Sequence, residues 1–181
     1  MKHSTLIIKA IVFAVFSISS ATAQTFSYPT KGAKGLSIAT ETKSNIGINY
    51  NLGSFSFNHL NYKGEDLTEI SLEGIFLPND AGCPNLPVES RFVAIPQGAT
   101  ATLNVVSYEK EVIRNVNIAP ARAIQTENDE PNMDFVKDQK IYATNANFPE
   151  NPFVISEKTS LRGVDAVVIS VSPFQYNPVT K

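Results

Sequence analysis

Beyond a short N-terminal leader, His59 and Cys83 are the only histidine and cysteine in the chain. They are the two side chain types from which a thiolate nucleophile and its general base can be built. Their surroundings argue against that pairing. Cys83 lies in Gly82-Cys83-Pro84-Asn85-Leu86-Pro87, a proline-rich turn with no recognisable oxyanion donors, and His59 falls in a strand pattern. Cys83 is expected to pack as a small hydrophobe. Two potential ligands are too few for a zinc site, and no metal or cofactor is expected.

A second stretch with chemical potential is Ala121 to Lys140, which is polar and acidic and includes Pro131, and whose part from Ala121 to Asp134 carries Glu127, Asp129, Glu130 and Asp134. Carboxylates at this density invite a calcium reading, but their spacing matches no EF-hand loop. A charge run of this kind is ordinarily a solvated loop. Long connections without structure of their own are uncommon in compact domains, however, and usually bind something or stay disordered. This loop is therefore the expected functional segment.

The elements that must carry it read as strands. Ile46, Ile48, Tyr50 and Leu52 alternate with polar or small residues, and Phe55 and Phe57 repeat the pattern after Gly53. Arg91 to Ile95 stops at Pro96-Gln97-Gly98, and Ala101 to Val106 starts just beyond, so the two are predicted as consecutive strands. Val112, Val116 and Ile118 continue in alternating register up to Pro120, where ladder pairing should end. Val164 to Val171 is the most apolar run, rich in β-branched residues, and is predicted as a central strand. No segment has a helical apolar stripe with caps, so helices should be few and short. Short strands separated by Gly, Pro and Asn turns indicate an all-β fold, an antiparallel β-sandwich of jelly-roll kind. Leu77 to Pro87, with three prolines and a glycine, should lack regular structure.

The N-terminus sets the compartment. Lys2 and Lys9 accompany an apolar run from Leu6 to Ile18, and Ala21-Thr22-Ala23 supplies the small residues of a signal-peptidase site. Residues 1–23 are expected to be a cleaved signal peptide, because the run is shorter than the ~20 residues that span a bilayer. Residues 24–36 show no pattern and are expected to form a loose arm. Removing Lys2 and Lys9 leaves 13 basic against 17 acidic residues, a net charge of −4. That balance disfavours a nucleic-acid or anionic-membrane partner. With Cys83 alone, an internal disulfide is impossible, and the fold must rest on apolar burial.

An ordered series of short motifs then carries a resemblance. Gly82-Cys83-Pro84-Asn85-Leu86-Pro87-Val88, Ser90-Arg91, Ile95-Pro96, Asn115-Val116-Asn117-Ile118-Ala119-Pro120, Asn147-Phe148-Pro149, Arg162-Gly163 and Pro173-Phe174-Gln175-Tyr176-Asn177-Pro178 follow the order and spacing of the gingipain propeptide family. That family supplies the N-terminal prodomain of the C25 cysteine proteases of Bacteroidetes-type bacteria. The resemblance covers residues 37–181. It implies a non-catalytic prodomain that escorts folding of a cysteine protease domain in the same precursor and keeps it latent. It further implies transit through the periplasm by the type IX route to the medium or the cell surface.

The family continues past the Asn177-Pro178 turn into a further strand, so the resemblance implies the N-terminal part of a longer precursor with an open sheet edge. In the family, a loop presents a basic side chain to the protease's specificity pocket. The matching position here is Glu127, and the candidate inhibitory residues are Arg122, Glu127, Asn128, Asp129 and Glu130. Gly82, Pro84, Leu86, Pro87, Arg162, Gly163, Gln175, Tyr176, Asn177 and Pro178 are motif residues with a structural or a docking role. Arg162 is expected to pair with an internal carboxylate. Two alternatives remain: a secreted β-sandwich adhesion module, which would need an aromatic platform from Tyr28, Tyr50, Tyr62 and Tyr108, or a propeptide-like domain of another exported protein.

Overall fold

In a computed structural model, which describes residues 23–29, 32–75, 80–125, 127 and 134–181, the chain builds three antiparallel sheets. Strands β1 (Ala23–Ser27), β4 (Ser54–Tyr62) and β5 (Glu65–Leu72) form one, in the order β1-β4-β5. β2 (Gly35–Glu41) and β3 (Ile46–Asn51) form a two-stranded hairpin. In the third, β9 (Val164–Val171) is flanked by β6 (Glu89–Ala94) on one edge and by β7 (Phe153–Ile155) and β8 (Thr159–Leu161) on the other. Among the described residues the single helix, α1, spans Gln139–Tyr142.

The core follows from period-two patterning. Phe55 and Phe57 point inward from β4, and Ile70, paired with Phe57, from β5, where they meet Leu86, Ile118 and Tyr176. The Phe55 and Phe57 ring centroids lie 5.3 Å apart, and Phe174 packs edge-on to Phe55 at 4.8 Å. Each fully buried side chain of this size contributes about 1.5–3 kcal/mol of transfer free energy. β9 is central, as its composition predicts, with Ala166, Val167, Ile169 and Val171 buried.

Both tight hairpins use a basic residue and glycine at positive φ, the geometry that matches strand twist. Lys63 and Gly64 (φ 50° and 83°) join β4 to β5, and Arg162 and Gly163 (φ 52° and 82°) join β8 to β9. Arg162 is exposed and makes no ion pair among the described residues, so the expected internal carboxylate partner is absent there. The hairpin β2–β3 is tied to β6 by the buried carboxylate of Glu89, which accepts from Leu36 N (3.1 Å) and pairs with Arg91 (3.1 Å). Gly35 makes room for it, since a Cβ there would lie 2.6 Å from Glu89 Oε2.

Two expectations are corrected. The arm from Gln24 is not loose: residues 23–27 pair with β4 from Ala23↔Asn58 to Ser27↔Ser54, and Phe26 stacks on Phe55 at 4.8 Å. Its one apolar residue gives no alternation to read, and the partner lies some thirty positions away. Conversely, Ala101 to Val106 and the stretch from Val112 are not strands. No backbone hydrogen bond joins residues 100–114 to another described residue, and Val106 and Val112 are 89% and 72% exposed. Alternation marks β-competence, but a strand also needs a ladder partner. Pairing resumes at Ile118, where Thr68 N–H donates to Asn117 O (2.7 Å) and Ala119 N–H to Thr68 O (2.9 Å). Residues 1–22 lie outside the described residues, and so does all of the leader except Ala23.

Candidate functional site

The two limbs of the 121–134 loop are fastened at a neck built by the Gly82 to Pro87 motif. Gly82 N–H donates to Ala121 O (2.9 Å) on the outgoing limb, and Gly82 O accepts from Asp138 N (3.0 Å) on the returning limb. Cys83 O accepts from Ala121 N (2.8 Å), and Asn85 N–H donates to Ala119 O (2.9 Å). One short turn thus fastens both limbs. Only glycine suits the first position: its φ is +86°, and a Cβ would lie 3.1 Å from Asp138 N and 3.2 Å from Val136 O. Pro84 and Pro120 face each other in an isolated bridge, and with Leu86 and Pro87 they are fully buried. Proline brings no N–H, so its burial leaves no orphaned donor.

Side chains close the neck above this frame. The Arg122 guanidinium lies 4.0 Å from the centroid of the Phe135 ring on the opposite limb and 3.8 Å from Glu69 Oε1. Its Nε is buried without a hydrogen-bond partner among the described residues. Phe135 in turn packs edge-on against Tyr62, centroids 5.1 Å apart. Asp134 accepts from the Tyr62 hydroxyl and pairs with Lys63 Nζ (3.2 Å), and these two partners hold its carboxyl below the usual range. Lys137 pairs with Glu65, whose carboxylate also accepts from Asn117 Nδ2 (2.9 Å); both lower the Glu65 pKa. Asp138 then caps α1, accepting from Lys140 N (2.8 Å) and Ile141 N (3.2 Å). Tyr142 closes the base by donating to Ile118 O (2.9 Å). The β4–β5 hairpin, the Gly82 turn and α1 therefore hold both limbs, while Ile124, two residues past Arg122, is 83% exposed.

The candidate inhibitory residues separate in this geometry. Arg122 belongs to the neck, and Glu127 is exposed beyond it. Asn128, Asp129 and Glu130 lie outside the described residues. The C-terminal motif occupies structural positions. Gln175 Nε2 donates to Pro149 O (2.8 Å), Tyr176 exchanges backbone hydrogen bonds with Phe148 (2.8 Å each), and Asn177 Oδ1 accepts from Val179 N (3.0 Å) and Thr180 N (3.2 Å). Tyr176 and Pro178 are buried.

Cys83 and His59 are not brought together. The Cys83 thiol is pushed up by burial, with Asp80 and Asp138 adding to the shift, and His59 Nδ1 lies 3.1 Å from Thr68 Oγ1. A protonated thiol is a poor nucleophile. The four tyrosines form no shared platform: Tyr50 is half-buried beside Glu89, Tyr62 is tied to Asp134, Tyr28 donates to Glu111 (2.6 Å), and Tyr108 packs on Phe153.

Sequence reasoning did not find Glu65, Glu69, Tyr62 and Phe135 as neck residues. Phe135 did carry a signal, as the single aromatic between Pro120 and Lys140 in an otherwise polar stretch.

Comparison with known proteins places this architecture. The C25 propeptide family model (Propeptide_C25) matches residues 35–181. Gingipain R1 of Porphyromonas gingivalis is 34% identical over 109 residues, covering 60% of this chain and 11% of that protein. Lys-gingipain of the same organism is 26% identical over 137 residues, covering 70% of this chain and 8% of that protein. The chain thus spans a small fraction of the relatives it matches. Two solved structures share the fold. A complex of the pro- and mature domains of Porphyromonas gingivalis RgpB superposes with a TM-score of 0.74 at 24% identity, covering 81% of this chain and 77% of that one. A structure addressing the zymogenic latency of gingipain K superposes at 0.72 and 18% identity, covering 88% and 90%.

Proposed function

The chain belongs to the C25 propeptide family, and from that membership we propose that it is the prodomain of an exported gingipain-like cysteine endopeptidase, acting in cis as folding chaperone and latency inhibitor. The segment itself is non-catalytic. The observation that carries the reading is the fastened neck, which presents a long polar loop from a rigid base.

Latency follows from elementary terms. A loop in the protease cleft excludes substrate, and tethering in one polypeptide gives it a local concentration on the order of millimolar. Holding both limbs in advance reduces the ordering entropy that binding must overcome. The residues past the neck, Glu127 with Asn128, Asp129 and Glu130, supply the contacts, and Glu127 is the anchor. The solved pro- and mature-domain complex of the relative RgpB supports a protease partner of this kind. Export by the N-terminal leader, periplasmic transit and release by the type IX route complete the reading.

The test is latency of the full precursor. Replacing residues 123–133 by a flexible Gly/Ser stretch of equal length should leave the precursor folded and make it active before processing. A precursor that stays latent with that replacement would refute the cleft-filling role.

A further inference from the structure

The loop has no cation to offer. Residues 123–136 contain no Lys, Arg or His, whereas Glu127, Asp129, Glu130 and Asp134 are acidic. The two flanking cations are held at the neck. Lys137 pairs with Glu65 on the β4–β5 hairpin. Arg122 lies between the Phe135 ring and Glu69, follows the buried Pro120 and Ala121, and turns its Nε inward.

Delivering Arg122 to a distant pocket would break the cation–ring contact with Phe135 across the two limbs and unpair Glu69. Arginine suits such a place because its flat guanidinium stacks on an aromatic face while still pairing with a carboxylate. Lysine cannot reproduce both contacts. A cleft lined with carboxylates, the kind that selects arginine or lysine, would moreover meet three loop carboxylates of like sign, since Asp134 is already tied to Tyr62 and Lys63.

We propose that Arg122 is a positioning residue that locks the loop neck through Phe135, and that the side chain seated in the protease is acidic or uncharged, so that the precursor's protease domain is not specific for arginine or lysine. This rests on the reading that the loop enters the cleft.

The test uses the full precursor and its matured protease. Arg122→Ala, Arg122→Lys and Phe135→Leu should each raise activity before processing by about tenfold, and the Arg122→Ala/Phe135→Leu double variant should leak no more than the worse single variant, because the two act as one unit. The matured enzyme, unaltered by these changes, should cleave peptides with Asn, Gln, Asp or Glu before the scissile bond, or with an uncharged residue there, in preference to Arg or Lys. Latency kept by Arg122→Lys but lost by Arg122→Ala would mean that the cation itself is the anchor, and would overturn the proposal. So would a preference for Arg or Lys, which is measured on the mature enzyme and does not depend on whether any variant folds. Unchanged latency in all three single variants would equally overturn the positioning role. Failure of the underlying reading looks different: the precursor would stay latent even with residues 123–133 replaced.

Discussion

Gly82→Ala should open the neck more than any comparable glycine change in the chain. Two effects add. A non-glycine residue at φ +86° carries a backbone penalty of about 1–2 kcal/mol. The new Cβ would also sit 3.1 Å from Asp138 N and 3.2 Å from Val136 O, closer than ordinary contact, and both neighbours are backbone atoms. Relief requires the Gly82 turn to shift between the two limbs, which weakens the Gly82–Ala121 and Asp138–Gly82 hydrogen bonds at about 0.5–1.5 kcal/mol each. The combined loss is about 2–5 kcal/mol, or a fall in Tm of about 4–20 °C for a domain of this size. Gly163 is the control. Its φ is +82°, but a Cβ there meets nothing within 4 Å, so Gly163→Ala should lose only the backbone part, about 1–2 kcal/mol. Thermal unfolding followed by circular dichroism, with amide exchange read at position 82 and at Asp138, the donors of the two bonds, measures both. Equal losses for the two variants, or unchanged exchange at position 82 and at Asp138 in Gly82→Ala, would refute the argument that this glycine fastens both limbs.

Other expectations follow from the same contacts. Glu65 has its carboxyl pKa lowered by Lys137 and Asn117, so its contribution is full above the unfolded value near 4.5 and is lost as pH falls through the lower folded value. The stability gap between the wild type and Glu65→Gln should therefore be present at neutral pH, no more than about 1 kcal/mol because the Glu65 side chain is 47% exposed, and should vanish at pH 2; a constant gap would contradict the assignment. Phe57→Ala should lose about 3–5 kcal/mol by leaving a cavity between β4 and its neighbours, read by urea unfolding, and a loss below 1 kcal/mol would place Phe57 outside the core. Amides of residues 102–113 should exchange orders of magnitude faster than those of 166–170 in β9, because no ladder holds them; comparable protection would mean that the segment is paired in solution.

How far the sequence carries can be judged residue by residue. β9 was legible because eight largely apolar, β-branched positions leave little but a buried strand, and β4 because Phe55 and Phe57 alternate cleanly. β1 was not, since Gln24-Thr25-Phe26-Ser27 becomes a strand only through β4. Ala101 to Val106 erred in the opposite direction, having the right alternation and no partner. At the neck, the Gly82 to Pro87 motif stood out as a turn, and the polar loop stood out as a connection too long to be idle. That one fastens the other, and that Arg122 meets Phe135 and Glu69, depends on contacts between segments far apart in the chain, which no local pattern encodes. By residue type Arg122 is an anchor candidate, and in the fold it lies between Phe135 and Glu69.

The central claim is that this chain silences a cysteine protease by occupying its cleft with the 121–134 loop. The most direct measurement adds the chain in trans to the matured protease of its own precursor and follows steady-state kinetics at several substrate concentrations. Competitive inhibition is expected, with apparent KM rising, kcat unchanged and the effect lost when residues 123–133 are replaced. Inhibition that lowers kcat at saturating substrate, or that survives loss of the loop, would contradict it.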